Sequence, residues 1–447
     1  MARGILKILS HWTRRLQAWG YGKWTARIRI DHMKTSVLAG LMAVSCIGVR
    51  AADLQLQAGV AKVEITPSAF GPMYGYANRK CGPANGKHDP LFAKALVLAT
   101  GEARLAIVTL DLGSIVSENL QRDVSAKLRI PVLLLAASHT HSGPNFLPSE
   151  GSVRGVTPLT FEPSTYQVEL EQKVFAAIER AASSMFPARL GIGRGSLQLG
   201  YNRLLLRDDG RARALFDNLE RVPYGPVDPE FTLLRVEDGS GVTRALVVHY
   251  ACHAVVLGPT SCKWSADYPG AMQAKVEAGM PGTQCMFVQG GAGDINPLFE
   301  GRTGREEEDF ATMQTMGELL GVEVLRSVNH IKDTSMVRYP IQYASEVLRF
   351  SDRWEKDAPL EVGITTVLIN REIAIAAVPG EPMHKFQTYW KKHADVPYPL
   401  FYGYTYSSGG VWPGYLPEVG AGETIMQHHL INLYRLREMW LDKPGKP

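Results

Sequence analysis

The sequence predicts a mixed α/β fold, one large domain with mixed β-sheets flanked by helices. Three observations carry that expectation. Short apolar runs of strand length recur at 95–99, 105–111, 132–137, 245–250, 285–289 and 373–378. Helical patterning fits 165–184, 271–277 and 310–329. Strands and helices intermix, but without the regular alternation of a TIM barrel or a doubly wound sheet.

The bulk numbers agree with a large core. The chain has 447 residues and is 45% apolar, and its 43 glycines and 27 prolines favour strands and loops over a helical bundle. Length alone allows two or three domains. The texture from Leu54 to Leu441 is uniform, however, without repeat or low-complexity linker, so residues 52–447 read as one domain. The net charge is +4, with no basic block interleaved with aromatics. Nucleic-acid binding is therefore not indicated.

Residues 1–51 read differently. Positions 1–32 are rich in Lys and Arg and lack a core pattern. Met33-Lys34-Thr35 then leads an apolar stretch, Ser36 to Val49, closing at Ala51. A basic start, a short apolar run and a small residue make a secretory signal. The run is too short to span a bilayer comfortably. Met33 is the expected true start, residues 1–32 an upstream extension, and the mature chain exported. An N-terminal anchor is the alternative. Cys46 is a poor lipoprotein signal, because Ala43 stands where Leu is wanted.

Cleavage after Ala51 leaves Cys81, Cys252, Cys262 and Cys285. An even count in an exported protein permits disulfides. Proximity favours Cys252 with Cys262; four buried free thiols is the competing reading. No paired C-x-x-C spacing suggests structural zinc.

Four apolar strands end in polar loops. The run Ile130–Ala137 opens into Ser138-His139-Thr140-His141-Ser142-Gly143-Pro144, where Gly-Pro breaks the chain. Histidines two apart on extended backbone face one way. The second run carries His249 and His253 and continues to Ser265-Ala266-Asp267. The third opens into Gly290-Gly291-Ala292-Gly293-Asp294-Ile295-Asn296-Pro297, and the fourth ends at Pro379-Gly380-Glu381. Two histidine sources and a carboxylate are the inventory of a catalytic zinc site with an open position. Each piece alone has a plainer reading. An isolated His-x-His is often a pair of satisfied loop histidines. His249 alternates with apolar neighbours, as a core residue does. Gly290–Gly293 lacks the Gly-Lys-Ser/Thr ending of a phosphate loop. No nucleophile elbow surrounds Ser142. Glu306 to Asp309 suits a solvated helix start.

Together the pieces say more. Gly75-Tyr76-Ala77-Asn78, the His139 string, Tyr201-Asn202-Arg203, Cys252-His253 with Ser265-Ala266-Asp267, Gly293–Pro297 and Val378–Glu381 occur in this order. From about Gly59 to Pro417 the chain resembles the neutral/alkaline ceramidase family of zinc amidases. The resemblance implies an exported catalytic domain that cleaves the amide bond of an N-acyl substrate, most readily a ceramide-like lipid, with Zn2+ as cofactor. It implies His139, His253, Glu381 and Tyr415 as ligands, with Tyr402, Tyr404 and Tyr406 competing for the tyrosine position. It implies that His141 hydrogen-bonds the reacting amide, that Arg203 is its cationic partner, and that the Gly75 backbone lies along the substrate. Transient contact with a membrane surface is compatible with such a substrate. A zinc hydrolase of a small polar amide or ester, and a non-catalytic ligand-binding relative, are the alternatives.

The chain departs from the family in three places. Gln427 stands where a second tyrosine is expected, with His428 or His429 as nearby substitutes. A C-terminal β-sandwich domain like that of the family's founding enzymes is not expected within these 447 residues. Asn145-Phe146-Leu147 replaces a glycine-rich continuation, which should reshape the pocket mouth.

Overall fold

A computed structural model describes residues 55–438 apart from 80, 146–163, 210–211, 217, 219, 335–338, 352–358 and 418–421. The expected extension and signal over 1–51, and Phe146 with Leu147, lie outside the described residues.

Ten strands build the larger sheet, nine of them ahead of the smaller sheet in the chain. In chain order they are β1 (Gln57–Glu64), β2 (Phe92–Thr100), β3 (Ala103–Leu110), β4 (Val132–Ala137), β5 (Phe186–Ser196), β6 (Glu230–Asp238), β7 (Thr243–Tyr250), β8 (Gln284–Gln289) and the three-residue β9 (Lys332–Thr334). A smaller sheet follows with β10 (Gln342–Ser351), β11 (Pro359–Ile369), β12 (Ile373–Ala377) and β13 (Tyr398–Tyr402). Finally β14 (Thr405–Tyr406) returns to the larger sheet beside β4. The larger sheet runs β8-β7-β6-β5-β1-β2-β3-β4-β14, with β9 also on β5. The smaller runs β10-β11-β12-β13. Pairing is antiparallel except β7–β8, β3–β4 and β12–β13. These parallel pairs bring strand ends, and the loops after them, out side by side.

The strands explain the layering. Side chains alternate between the faces of a strand, and apolar residues on both faces demand cover on both. Leu105 and Ile107 of β3 share a core with Ile373 and Ile375 of β12, between the two sheets. Ala106, Val108 and Leu110 turn to the opposite face, under helices α1 (Glu118–Leu128) and α2 (Thr165–Ser183). Leu246 and Val248 of β7 do the same beneath α3 (Asp267–Gly279) and α4 (Glu306–Val328). Ala374 and Ala376 lie beneath α5 (His384–His393) and α6 (Glu423–Glu438). The result is four layers, helix, sheet, sheet, helix, matching the mixed α/β expectation.

The helices obey their sequence signals. Helix α2 buries Leu170, Val174, Ala177, Ile178 and Ala181, one stripe at 3.6-residue spacing. Ser164 and Gln167 close its start with a capping box. Helix α4 takes Glu306 to Asp309 into its first turn rather than following them. There the acidic side chains meet the positive end of the helix dipole. Helix α3 begins before the expected 271, at Asp267.

The disulfide differs from expectation. Cys262 pairs with Cys81, 181 residues away, and not with Cys252. Cys252 and Cys285 are buried free thiols. Cys252 lies two residues beyond β7 and belongs to the apolar cluster beneath α3 and α4. Cys262 sits on a surface loop whose neighbour is the loop carrying Cys81. Short sequence separation was the wrong guide, because the strand and loop face different layers.

Candidate metal centre

Three loops converge where the two sheets meet. The first follows β4. Its backbone runs beside the chain leaving β3, with Ser138 N–H donating to Leu110 O and His139 N–H to Leu112 O, each at 2.9 Å. His139 takes φ 64°, in the left-handed region. The two histidines thus come together through a turn, not through the extended alternation that the spacing suggests. The His139 and His141 Nε2 atoms lie 3.2 Å apart.

The second loop follows β7. His253 N–H donates to Ile295 O, which ties this loop to the one after β8. The buried Asp267 carboxylate accepts from the backbone N–H of Val256, Leu257 and Tyr268 at 2.7–3.3 Å. It thereby fixes the turn just beyond His253. The third loop follows β12, in the other sheet. Glu381 pairs with Tyr415 as neighbouring parallel residues, and its N–H donates to Gly414 O.

The polar atoms have a definite sense. His139 Nδ1 is 2.7 Å from Gly113 O, and His253 Nδ1 is 2.5 Å from Ala292 O. A carbonyl only accepts, so each Nδ1 carries its ring proton and each Nε2 presents a lone pair. The Glu381 Oε2 lies 3.3 Å from both Nε2 atoms. Three acceptors therefore share one point with no proton among them, and the one side-chain N–H that approaches, Arg203 Nη2, lies 3.4 Å from His253 Nε2. All three side chains are buried. A cation is what such a donor set fits, and a second-site hydrogen bond on each imidazole is the usual support of a metal ligand. His139, His141 and His253 also each offer a ring nitrogen within 4.8 Å of the others, close enough to hold an ion.

The electrostatic directions favour neutral rings at His141 and His253 and an ionised carboxylate at Glu381. Burial, followed by Arg203, pushes His253 down to about 4. Burial, followed by the neighbouring histidines, holds His141 well below its ordinary value. Burial works against ionisation of Glu381, but His139 and then His253 more than offset it, and the carboxyl stays well below the usual range.

The remaining expected residues are also nearby. Arg203 donates from Nη1 to Asn296 Oδ1 at 2.6 Å, and from Nη2 to Gly293 O at 2.9 Å and Tyr415 Oη at 3.0 Å. The Tyr415 ring stacks over His253 at 6.4 Å. Gly75 has φ 98°, and a Cβ there would fall 2.2 Å from His141 Nδ1. Only glycine allows that approach of backbone to imidazole.

The competitors separate. Tyr402 stacks on His249 within the core between the sheets, and Tyr406 belongs to the core beneath α1 and α2. His249 is thus the core residue its apolar neighbours suggested. Tyr404, at φ 53° and fully buried, packs against His139 at 4.4 Å with its hydroxyl unpartnered. It is the one rival to Tyr415 that reaches the centre. Neither His428 nor His429 replaces the missing tyrosine. His428 pairs with Glu346, while His429 is buried against Trp390 and Thr366, in the helical layer over the smaller sheet.

Several supports were not picked out in the sequence. Asp294 accepts from His384 N–H at 2.8 Å and from Asn202 Nδ2 at 2.8 Å, with His384 Nδ1 at 2.5 Å. That one carboxylate clips together the Tyr-Asn-Arg, Gly-Asp-Ile-Asn-Pro and Pro-Gly-Glu segments. Its place inside an ordered motif was the available signal. Tyr74, against both His139 and His141 at 5.5 Å, was signalled only by adjoining Gly75. The carbonyls of Gly113 and Ala292 had no side-chain signal at all.

Above the centre opens a cavity of about 510 Å³. His141, Arg203 and Tyr415 line its inner end, while Gly75 to Asn78 and the 255–260 loop form its walls.

Comparison with known proteins gives a consistent picture. The profile of the family described as neutral/alkaline non-lysosomal ceramidase, N-terminal, matches residues 56–316, more than half of the chain. The chain is 28% identical over 275 residues to a neutral ceramidase of Pseudomonas aeruginosa, covering 58% of this chain and 39% of that protein. It is 27% identical over 292 residues to neutral ceramidase A of Dictyostelium discoideum, covering 60% and 40%. The matched region is thus about two fifths of the length of these relatives. The crystal structure of the Pseudomonas aeruginosa neutral ceramidase superposes with a TM-score of 0.68 at 17% identity, covering 88% of this chain and 76% of that one. At that identity the likeness speaks for the fold.

Proposed function

The chain belongs to the neutral/alkaline non-lysosomal ceramidase family, and from that premise we propose that it is a metal-dependent amidohydrolase of N-acyl substrates, with a ceramide-like lipid amide as the leading class. The observation that carries this reading is the Glu381 Oε2 set 3.3 Å from two imidazole Nε2 atoms whose Nδ1 protons are already committed. His139, His253, Glu381 and Tyr415 would hold the ion. Two nitrogen and two oxygen donors suit Zn2+. Such an ion supplies a Lewis acid that polarises the amide carbonyl and makes water a competent nucleophile near neutral pH.

The chain's own residues would do the rest. Arg203, fixed by Asn296 and Gly293, orients the Tyr415 hydroxyl and offers a cation at the same end of the cavity. His141 faces the cavity as a neutral imidazole, able to hydrogen-bond the reacting amide. Its ring is set by Gly75 behind it and Tyr76 beside it. Buried side chains around His139 and His253 keep bulk water from the ligand atoms, which strengthens each charge interaction there.

Export is part of the proposal. The basic, apolar and small-residue order of 33–51 supports it, as does the Cys81–Cys262 disulfide, a bond of oxidising compartments. No helix among the described residues is long and apolar enough to cross a membrane.

Metal analysis of the purified protein, paired with turnover of a fluorogenic N-acyl-sphingosine, tests the reading. The expected result is about one ion per chain at this centre and amide cleavage that a chelator abolishes. Protein without stoichiometric metal, or metal-loaded protein that cleaves no N-acyl amide, would sink it.

A further inference from the structure

The cavity above the centre carries more positive charge than a neutral amide needs. Two guanidiniums line it, Arg203 and Arg302, and among the described residues no carboxylate does. Three arginines stand around this space, and they are committed to different degrees. Arg79 donates to the carbonyls of Ser261, Tyr74 and His141. Arg203 donates to Asn296, Gly293 and Tyr415. Arg302 makes one long bond, from Nη2 to Val255 O at 3.4 Å, and among the described residues no acid pairs with it. A guanidinium carries five N–H donors. Most of those of Arg302 are therefore unspent in a half-enclosed space.

Its position is nonetheless fixed. Gly301 bridges to Leu257, with Gly301 N–H donating to Val256 O at 2.8 Å. The Arg302 stem lies so close over Gly258 that a Cβ there would fall 2.5 Å from Cγ. Immediately beyond, Thr303 N–H and Oγ1 are both tied to Asp309 at 2.8 Å. The Asp267 carboxylate behind this wall is spent on three backbone N–H groups. Fixed, charged and unpaired groups at a concave surface attract the opposite charge, and a planar guanidinium suits a carboxylate or phosphate best. Phe216, Val255 and Pro259 line the same cavity and give a hydrocarbon portion its place.

We propose that the substrate bears an anionic group, a carboxylate or a phosphate, away from its scissile amide, and that Arg302 binds that group in the cavity. The proposal rests on the amidase reading for the identity of the reacting bond. A neutral ceramide would bring only hydroxyl groups to this guanidinium.

The test compares matched pairs on the metal-loaded full chain: N-palmitoylglycine against N-palmitoylglycinamide, and ceramide 1-phosphate against ceramide. The expected result is at least about a tenfold higher kcat/KM for the charged member of one pair, of the order a charge-assisted hydrogen bond supplies. Whichever pair discriminates identifies carboxylate or phosphate. In Arg302→Gln that ratio should fall toward one, and Arg302→Lys should keep part of it. A merely structural role would depress both members alike and leave the ratio standing. Equal rates within both pairs, or a ratio unchanged in Arg302→Gln, overturns the proposal while leaving the amidase reading intact. Calorimetry on chelator-treated protein gives a readout independent of turnover. There N-palmitoylglycine or ceramide 1-phosphate should bind at least about tenfold more weakly to Arg302→Gln than to the parent. If no amide is cleaved, the amidase reading falls, and calorimetry alone decides: charged and neutral lipids binding alike to both proteins overturns the anion site.

Discussion

The two sheets bring opposite chemistry to their meeting point. Loops leaving the larger sheet deliver nitrogen: His139 and His253, each locked by a backbone carbonyl. The loop leaving the smaller sheet delivers oxygen from Glu381, and Tyr415, on the chain that follows β14, pairs beside it. Neither set satisfies the other, because all the facing atoms of the histidines and the carboxylate accept. A few ångströms away the same sheets are joined by Asp294 and His384, where a carboxylate meets a ring N–H and a backbone N–H. One joint is complete in protein atoms alone and the other calls for a cation. A centre assembled across two layers cannot form until the layers dock, so an ion bound there would favour docking, and docking the ion.

Changing the ligands breaks this comparison most severely. His139→Ala and His253→Ala should lose metal and amide turnover together, by about 10³-fold or more if the ion supplies the main charge stabilisation. His141→Ala should keep the metal and lose about 10²–10³ in kcat, the usual cost of one preorganised donor. Metal content and kcat measured on the same preparations separate the two outcomes. Full activity in His141→Ala would remove that residue from the reaction.

Glu381→Gln sharpens the comparison further. Its side-chain amide can donate to an imidazole lone pair, so the substitution supplies the proton that the joint lacks. The variant should bind metal weakly and be nearly inert, yet melt higher than the chelator-treated parent. In the parent, an ion present at about a thousand times its dissociation constant would contribute about 4 kcal/mol, which chelation would remove. Thermal melts with and without chelator check both halves. A Glu381→Gln protein that melts below the chelated parent would mean that the carboxylate is not facing lone pairs.

Much of this centre was legible in the sequence because buried strands and their loops announce themselves. A strand covered on both faces must be continuously apolar, and Val132 to Ala137 could be little else. Where such a run ends in His-Thr-His-Ser-Gly-Pro, a loop at the edge of the core follows. The layering was not legible, since nothing local says that β12 packs on β3 and not beside it. The Cys81–Cys262 bond was equally hidden, because loops brought together by tertiary folding leave no trace in spacing. Arg302 gave no signal either. Its significance is that no acid pairs with it among the described residues, and only coordinates reveal that. The left-handed turn at His139 belongs with these, being imposed by the Leu112 and Gly113 carbonyls.

A second buried carboxylate completes the comparison and gives the smallest effect. Asp111 ends β3 beneath α3, lining a cavity of about 160 Å³ with Lys94, Gln273 and Glu277. Unlike Glu381, it is not hydrogen-bonded to an imidazole among the described residues, although His88 lines the same cavity. Burial pushes it up to about 6, against the opposing pull of Lys94 and of the Phe92 N–H that it accepts at 2.8 Å. The folded protein thus keeps a proton that the unfolded chain, near 3.8, has already lost. The stability from this proton is full below about 3.8, shrinks as pH rises, and is gone above about 6. A shift of about two units corresponds to about 3 kcal/mol between those limits. Asp111→Asn retains an oxygen acceptor for Phe92 N–H but cannot ionise. Relative to the parent, it should gain stability from about pH 4 to about pH 6 and level off by pH 7. Urea unfolding of both chelator-treated proteins across that range isolates the difference from every other titrating group. Parallel stability curves would mean that Asp111 is ionised in the folded protein throughout, and that burial beneath α3 costs its charge far less than its surroundings imply.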